Sequence, residues 1–177
     1  FGSGVGMALR DYREALMQSA SDLVVLPETA LPLLPHQLPA GYWQPVVDRF
    51  AKGQQAALIG LPLEKAHVAS SALPYTNSAL GLVPHATGVE PAAGARGAPY
   101  RYDKHHLVPF GEFVPLGFQW FVNAMHIPLG DFGRGDLVQP TLEWAGQRVA
   151  PNICFEDLFG EEIAQSFASE STAPTMM

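Results

Sequence analysis

Leu23-Val24-Val25-Leu26-Pro27-Glu28-Thr29 is the stretch on which the reading of the fold turns. Four apolar residues halted by proline make a run of strand length, and a strand covered on both faces is what a layered α/β protein requires. The charge that follows is equally informative. Glu28 stands just past the strand, at the sheet edge where the ligand sites of layered α/β proteins collect.

Working outward, the same alternation repeats. Val5, Leu9, Tyr12 and Leu16 recur at three- and four-residue spacing, which predicts an amphipathic helix ending before Asp22; the glycine-rich Gly2 to Gly6 start reads as a turn ahead of it. Trp43, Val46, Val47 and Phe50 mark a second helix, and Ala56 to Gly60 and Tyr75 to Val83 two further strands. Pro84 to Pro99 is rich in Gly, Ala and Pro and reads as a surface excursion. Leu142-Glu143-Trp144 and Arg148 to Ile153 predict a hairpin whose second strand runs into Cys154. After it, Phe159, Ile163 and Phe167 suggest a helix with Asp157 as its cap, and Pro174 to Met177 the start of another strand. Between Asp103 and Thr141 lie close to forty residues with little strand character. Compact domains seldom carry such a segment unless it has work to do.

Composition narrows the function. Of 177 residues, 47% are hydrophobic and only 15% charged, which excludes intrinsic disorder and fits one domain. A net charge of −7 supplies no field for phosphates, so a nucleic-acid partner is not expected. The single Cys forms no internal disulfide and no Cys-rich zinc site. Neighbouring His105 and His106 point to opposite faces of an extended segment, so no metal is expected there. No apolar run reaches the ~20 residues that a membrane span needs.

Three ionisable groups stand just beyond apolar strands: Glu28, Lys104 in Tyr102-Asp103-Lys104, and Cys154 in Ile153-Cys154-Phe155-Glu156-Asp157. Each alone has a plain explanation, as a solvated acid, a surface cation and a small buried hydrophobe. Together they could perform acyl chemistry. A thiol, with an ordinary pKa of about 8.5, needs a base, and Glu28 could supply it if burial raised its proton affinity. Lys104 would oppose that rise while stabilising both a thiolate and the oxyanion formed on a carbonyl. Cys154 is expected near a helix N-terminus, with the Phe155 amide as an oxyanion donor.

With Leu26-Pro-Glu-Thr-Ala, Tyr102-Asp-Lys-His-His-Leu-Val-Pro-Phe-Gly-Glu-Phe-Val-Pro, Gly130-Asp-Phe-Gly-Arg-Gly and Ile153-Cys-Phe-Glu-Asp-Leu-Phe in this order, the chain resembles the nitrilase-type domain of bacterial apolipoprotein N-acyltransferases, within the carbon–nitrogen hydrolase superfamily. The block that follows Lys104 points to the acyltransferase branch. The resemblance implies an α-β-β-α sandwich, with Glu28 as general base, Lys104 as oxyanion-stabilising cation and Cys154 as the nucleophile that carries an acyl thioester. Glu112 and Glu156 match further acids of the active site. The implied activity moves an acyl chain from a phospholipid to the N-terminal amine of a diacylglyceryl-cysteine lipoprotein, without a cofactor, at the periplasmic side of the bacterial inner membrane.

Leu34, Trp120 and Phe121 would then lie on loops that touch lipid at the membrane surface. The family's membrane-spanning domain has no counterpart here, nor do the first and last strands of its sandwich, so residues 1–177 are expected to be a partial catalytic domain. Two alternatives stay open: a soluble amidase or nitrilase using the same three residues, and a non-catalytic fragment that retains the motifs.

Overall fold

A strand must place its apolar residues on the faces that other layers cover, and here one sheet does so in both directions. The computed structural model describes residues 3–65, 75–85, 97–109, 111–113, 132–169 and 172–177. Four strands run in the order β1 (Leu23–Val25), β2 (Ala56–Glu64), β3 (Tyr75–Leu82) and β4 (Tyr100–Asp103), and a two-residue β5 (Phe132–Gly133) pairs with β3. β1 lies parallel to β2, whereas β2–β3 and β3–β4 are antiparallel, so the sheet is mixed.

Successive residues of a strand face opposite ways. Ala57, Ile59, Leu61 and Leu63 of β2 and Leu80 and Leu82 of β3 meet α1 (Ser3–Gln18) and α2 (Trp43–Lys52) through Leu9, Leu16, Val46, Val47 and Phe50. The intervening Leu58 and Ala79 face the hairpin β6 (Leu142–Trp144) and β7 (Gln147–Val149), packing with Leu142, Val149 and Ile153. The hairpin turns on Ala145 (φ 49°) and Gly146 (φ 76°), the left-handed pair that a two-residue connection needs. Helices thus cover one face and a second small sheet the other.

Both helices and the strands around them form as expected, apart from the second hairpin strand, which ends at Val149 instead of running to Ile153 and into Cys154, since Pro151 has no N–H to give a ladder, and apart from four further corrections. α1 begins at Ser3, so Gly4 and Gly6 are helical; docking of Leu9 and Leu16 outweighs their poor propensity. β1 is an edge strand rather than one covered on both faces, and Val25 is 63% exposed. β2 continues to Glu64 through Pro62, which is tolerated because β1 pairs only with Ala56 to Leu58 and leaves that edge open. Beyond Cys154 the chain forms a 3-10 turn (Cys154–Leu158) and a short α3 (Gly160–Gln165); Asp157 lies inside the turn, where it accepts a hydrogen bond from Asn152, and Phe167 lies past α3. The expected last strand does begin: Met176 bridges to Val149 in parallel, with Ala150 N–H donating to Met176 O at 2.9 Å.

Leu34 is corrected too. It is 5% exposed, so the loop after Glu28 turns this side chain into the protein and offers it to no lipid surface. Leu34→Ser is accordingly expected to cost ~2–4 kcal/mol of stability, to be read by urea unfolding. A loss below ~0.5 kcal/mol would restore the surface reading. Trp120 and Phe121, the other lipid-contact candidates, lie outside the described residues, as does most of the Pro84–Pro99 excursion. No helix among the described residues is long and apolar enough to cross a membrane.

Candidate active site

Glu28 leaves β1 on a tight turn, with Thr29 at φ 52°, and the turn lies directly on β2: Leu31 N–H donates to Gly60 O at 3.1 Å. Lys104 follows β4. Its own N–H donates to Asn77 O on β3 (2.8 Å), and its carbonyl accepts Gly135 N–H (3.0 Å). The preceding residue is held still more firmly. The Gln139 side-chain amide pairs with both main-chain groups of Asp103, accepting its N–H at 2.9 Å and donating to its carbonyl at 2.6 Å, as a neighbouring strand would. The Asp103 carboxylate takes the Ser78 and Thr76 hydroxyls (2.6 and 2.9 Å) and the Arg101 guanidinium.

The Lys104 side chain is buried at 1% exposure, and its ammonium is 2.8 Å from both Glu28 Oε1 and Glu112 Oε2. A buried charge must be paired, and this one is paired twice. Two of its three N–H groups are thereby committed among the described residues. Glu112 Oε2 also accepts Val108 N–H at 2.9 Å, which fixes the acid within the loop that follows Lys104.

Asn77, which the reading of the sequence did not single out, completes the set. Its Nδ2 donates to Glu28 Oε1 and to Glu112 Oε1, each at 2.6 Å.

Cys154 opens the 3-10 turn at φ 55°, a conformation that costs a non-glycine residue ~1–2 kcal/mol and turns the exposed thiol out of the backbone. The thiol lies close enough to the Glu28 carboxylate to help hold its pKa down, the weakest of the influences on that acid. Glu28 and Cys154 share a cleft of about 300 Å³ whose walls include Leu23, Val25, Leu58, Ala79 and Met176. Among the described residues the Phe155 N–H has no partner, as at the start of any helical turn.

Glu156, buried, ties the thiol segment to the lysine segment. Oε1 accepts His105 N–H (2.8 Å) and His106 N–H (3.3 Å), while Oε2 accepts Tyr102 O–H (2.8 Å) and Ile153 N–H (2.9 Å). Among the described residues its bonds go to the main chain and to the Tyr102 hydroxyl. The two histidines lie on a bend rather than an extended segment, their rings edge to face at 6.4 Å, and take different partners: His105 Nδ1 meets Gly135 O, and His106 meets Glu162 and stacks on Phe159.

One electrostatic expectation is reversed. Burial does push Glu28 upward, but the hydrogen bonds from Lys104 and Asn77, the Lys104 charge and the thiol outweigh it, and its carboxyl titrates below the ordinary value. Burial likewise presses Lys104 down, and its two carboxylate partners more than restore it, leaving its pKa raised. The resting site is therefore an ionised base against an ionised lysine.

A mixed α/β sheet whose edge brings a carboxylate, a doubly paired lysine and an outward-turned thiol into one neighbourhood has the parts of a thiol-based acyl-transfer site. No protein-family model matches the chain. Individual proteins do: it is 54% identical over 175 residues to the apolipoprotein N-acyltransferase of Verminephrobacter eiseniae, covering 99% of this chain and 30% of that protein. The apolipoprotein N-acyltransferase of Ralstonia nicotianae is 46% identical over 175 residues (99% of the chain, 31% of that protein), and that of Nitrosomonas europaea 40% over 162 residues (90% and 29%). The chain thus spans about 30% of the length of the curated relatives it matches.

Proposed function

We propose that this chain carries the catalytic site of an N-acyltransferase that moves an acyl chain from a phospholipid, through a Cys154 thioester, to the N-terminal amine of a diacylglyceryl-cysteine lipoprotein. The observation that carries the reading is the meeting of Glu28, Lys104 and the single cysteine of the chain in a sequence similar along nearly its whole length to enzymes of that name. The layering described above suits one half of a nitrilase-like α-β-β-α sandwich. The substrates set the site against the periplasmic face of an inner membrane.

In the first half-reaction Cys154 Sγ attacks the ester carbonyl carbon as its proton passes to Glu28. The electron pair of the carbonyl moves onto oxygen, where the third N–H of Lys104 and the Phe155 N–H stabilise it. Collapse of that oxyanion breaks the carbon–oxygen ester bond, and the departing lysophospholipid alkoxide takes the proton back from Glu28. In the second half the lipoprotein amine attacks the thioester, Glu28 accepts a proton from the amine, and the sulfur leaves and recovers that proton. Because Glu28 starts ionised, it is ready to accept without prior deprotonation. Its contact with Lys104 weakens as the lysine turns toward the oxyanion, so its proton affinity rises as the thiol gives up its proton.

The test is trapping. The chain is incubated with phosphatidylethanolamine vesicles bearing a labelled acyl chain, and label is expected on Cys154 as a hydroxylamine-labile adduct, absent in Cys154→Ala. Glu28→Gln is expected to lower its formation ~10²-fold or more at pH 7. Adduct from short amides but none from phospholipid would instead favour a hydrolase, and no adduct from either a non-catalytic domain.

A further inference from the structure

The buried amide of Asn77 is in an unusual position. It is 5% exposed; both N–H groups of its Nδ2 are given to carboxylates, and its Oδ1, also buried, has no hydrogen-bond partner among the described residues. An orphaned buried carbonyl is costly, and turning the amide over would not relieve it, because Oδ1 would then face two carboxylate oxygens. The orientation is dictated by the acids. A residue present only to fill β3 would not need that donor, since an apolar side chain of similar volume would leave nothing unsatisfied.

The charge balance shows what the donor does. Glu28 and Glu112 are two acids held to one ammonium, so the trio carries an excess negative charge in a buried place. Two carboxylates at close range raise the proton affinity of the pair, and cations or donors placed between them oppose that rise. Lys104 helps from one side. Asn77 helps from the other, spanning the same two acids with a neutral donor that brings no charge of its own. The groups that hydrogen-bond Glu28 among the described residues are Lys104 beyond β4 and Asn77 itself; the Cys154 thiol shares its cleft, and Glu112 faces it across both bridges.

We propose that Asn77 is a positioning residue for the catalytic base: its amide clamps Glu28 beside Glu112 around one lysine, holding the base in place for the thiol while the lysine keeps one N–H for substrate. The inference rests on the reading of Glu28 as the base. It adds that the pH range over which the site stays armed is set from β3, by a residue that touches neither thiol nor substrate.

The experiment is a carboxyl ¹³C NMR titration of the whole chain, with the Glu28 signal assigned by its loss in Glu28→Gln. Asn77→Ala is expected to move the Glu28 midpoint up by about one pH unit, the effect of one lost charge-assisted hydrogen bond. Asn77→Ser, which retains one donor, should move it less, and Asn77→Asp, which adds a third acid, should move it further than Ala. The acid limb of Cys154 acylation should move in the same order. Should the Ala variant fail to fold, the Ser and Asp pair carries the comparison. A Glu28 midpoint unchanged in folded variants, with only the melting temperature lowered, would make Asn77 a packing residue and overturn the proposal. If instead the midpoint moves as expected while Glu28→Gln still forms the acyl adduct at the wild-type rate, the clamp stands and the role of Glu28 as base falls.

Discussion

Lys104→Met is expected to lower acyl-adduct formation on Cys154 at least ~10²-fold and to cost ~3–5 kcal/mol of stability at pH 7. The side chain is fully buried and meets Glu28 and Glu112 at 2.8 Å each, with those acids 30% and 12% exposed. Methionine fills the volume but leaves two acids facing each other with only Asn77 between them. That is the costly way to break a buried pair: an uncompensated charge stays behind. The pH dependence identifies the cause. Because Glu28 titrates below its ordinary value in the folded chain, its pairing stabilises the fold above the ordinary carboxylate range and is lost as pH falls through the lowered value. Lys104, raised, contributes below its ordinary value and loses that contribution as pH rises through the raised one. The wild-type pair is therefore intact across neutral pH. In the variant the acids relieve their repulsion by taking up a proton, so the deficit against wild type should shrink between pH 7 and pH 4 in paired urea unfolding curves. A deficit of constant size would trace the loss to the lysine's alkyl stem instead.

The three residues proposed for the chemistry were legible because each stands past a strand: Leu23–Val25 before Glu28, Tyr100–Asp103 before Lys104, and Gln147–Val149 five residues ahead of Cys154. A charge at the end of a buried strand has few places to go, and position alone brings such charges to one sheet edge. Asn77 was missed for the opposite reason, since it lies inside a strand rather than past its end. A signal was available. Thr76-Asn77-Ser78 are three consecutive polar residues in a strand that continues Ala79-Leu80-Gly81-Leu82, and alternation would send one of the two faces to solvent. All three are buried instead, Thr76 and Ser78 on the Asp103 carboxylate and Asn77 on the two glutamates.

Leu34 failed in another way. Apolar composition says that a loop avoids water, but not whether it does so inward or outward; the Leu31 and Leu34 side chains both turn in. The sign of the Glu28 shift was beyond reach for a similar reason. Burial and pairing oppose each other, and the outcome depends on how many donors converge, which only the meeting of three separate segments decides.

Gly60→Ala should disable the site without touching any ionisable group. A Cβ built on Gly60 would fall 2.2 Å from Pro27 O and 2.9 Å from the Glu28 Cα, both backbone atoms of the turn that carries the base. No rotamer change relieves a clash with backbone, so the turn must lift from β2 by about an ångström or more, at a cost of ~1–3 kcal/mol. Lifting it stretches the 2.8 Å contact with Lys104 and the 2.6 Å contact with Asn77, and displaces the acid from the thiol. A misplacement of that size at a reacting group is worth ~10²-fold in rate. The expected result is a folded chain, moderately less stable, whose Cys154 forms adduct from labelled phospholipid ~10²-fold more slowly and whose Glu28 midpoint in the NMR titration moves upward toward the ordinary value. The two readouts separate positioning from general weakening, because a variant destabilised by the same amount through Leu34→Ser should keep the Glu28 midpoint where it is. A Gly60→Ala chain that lost stability but kept both the rate and the midpoint would mean that the Glu28 turn tolerates the shift, and that Lys104 and Asn77 follow the acid rather than fix it.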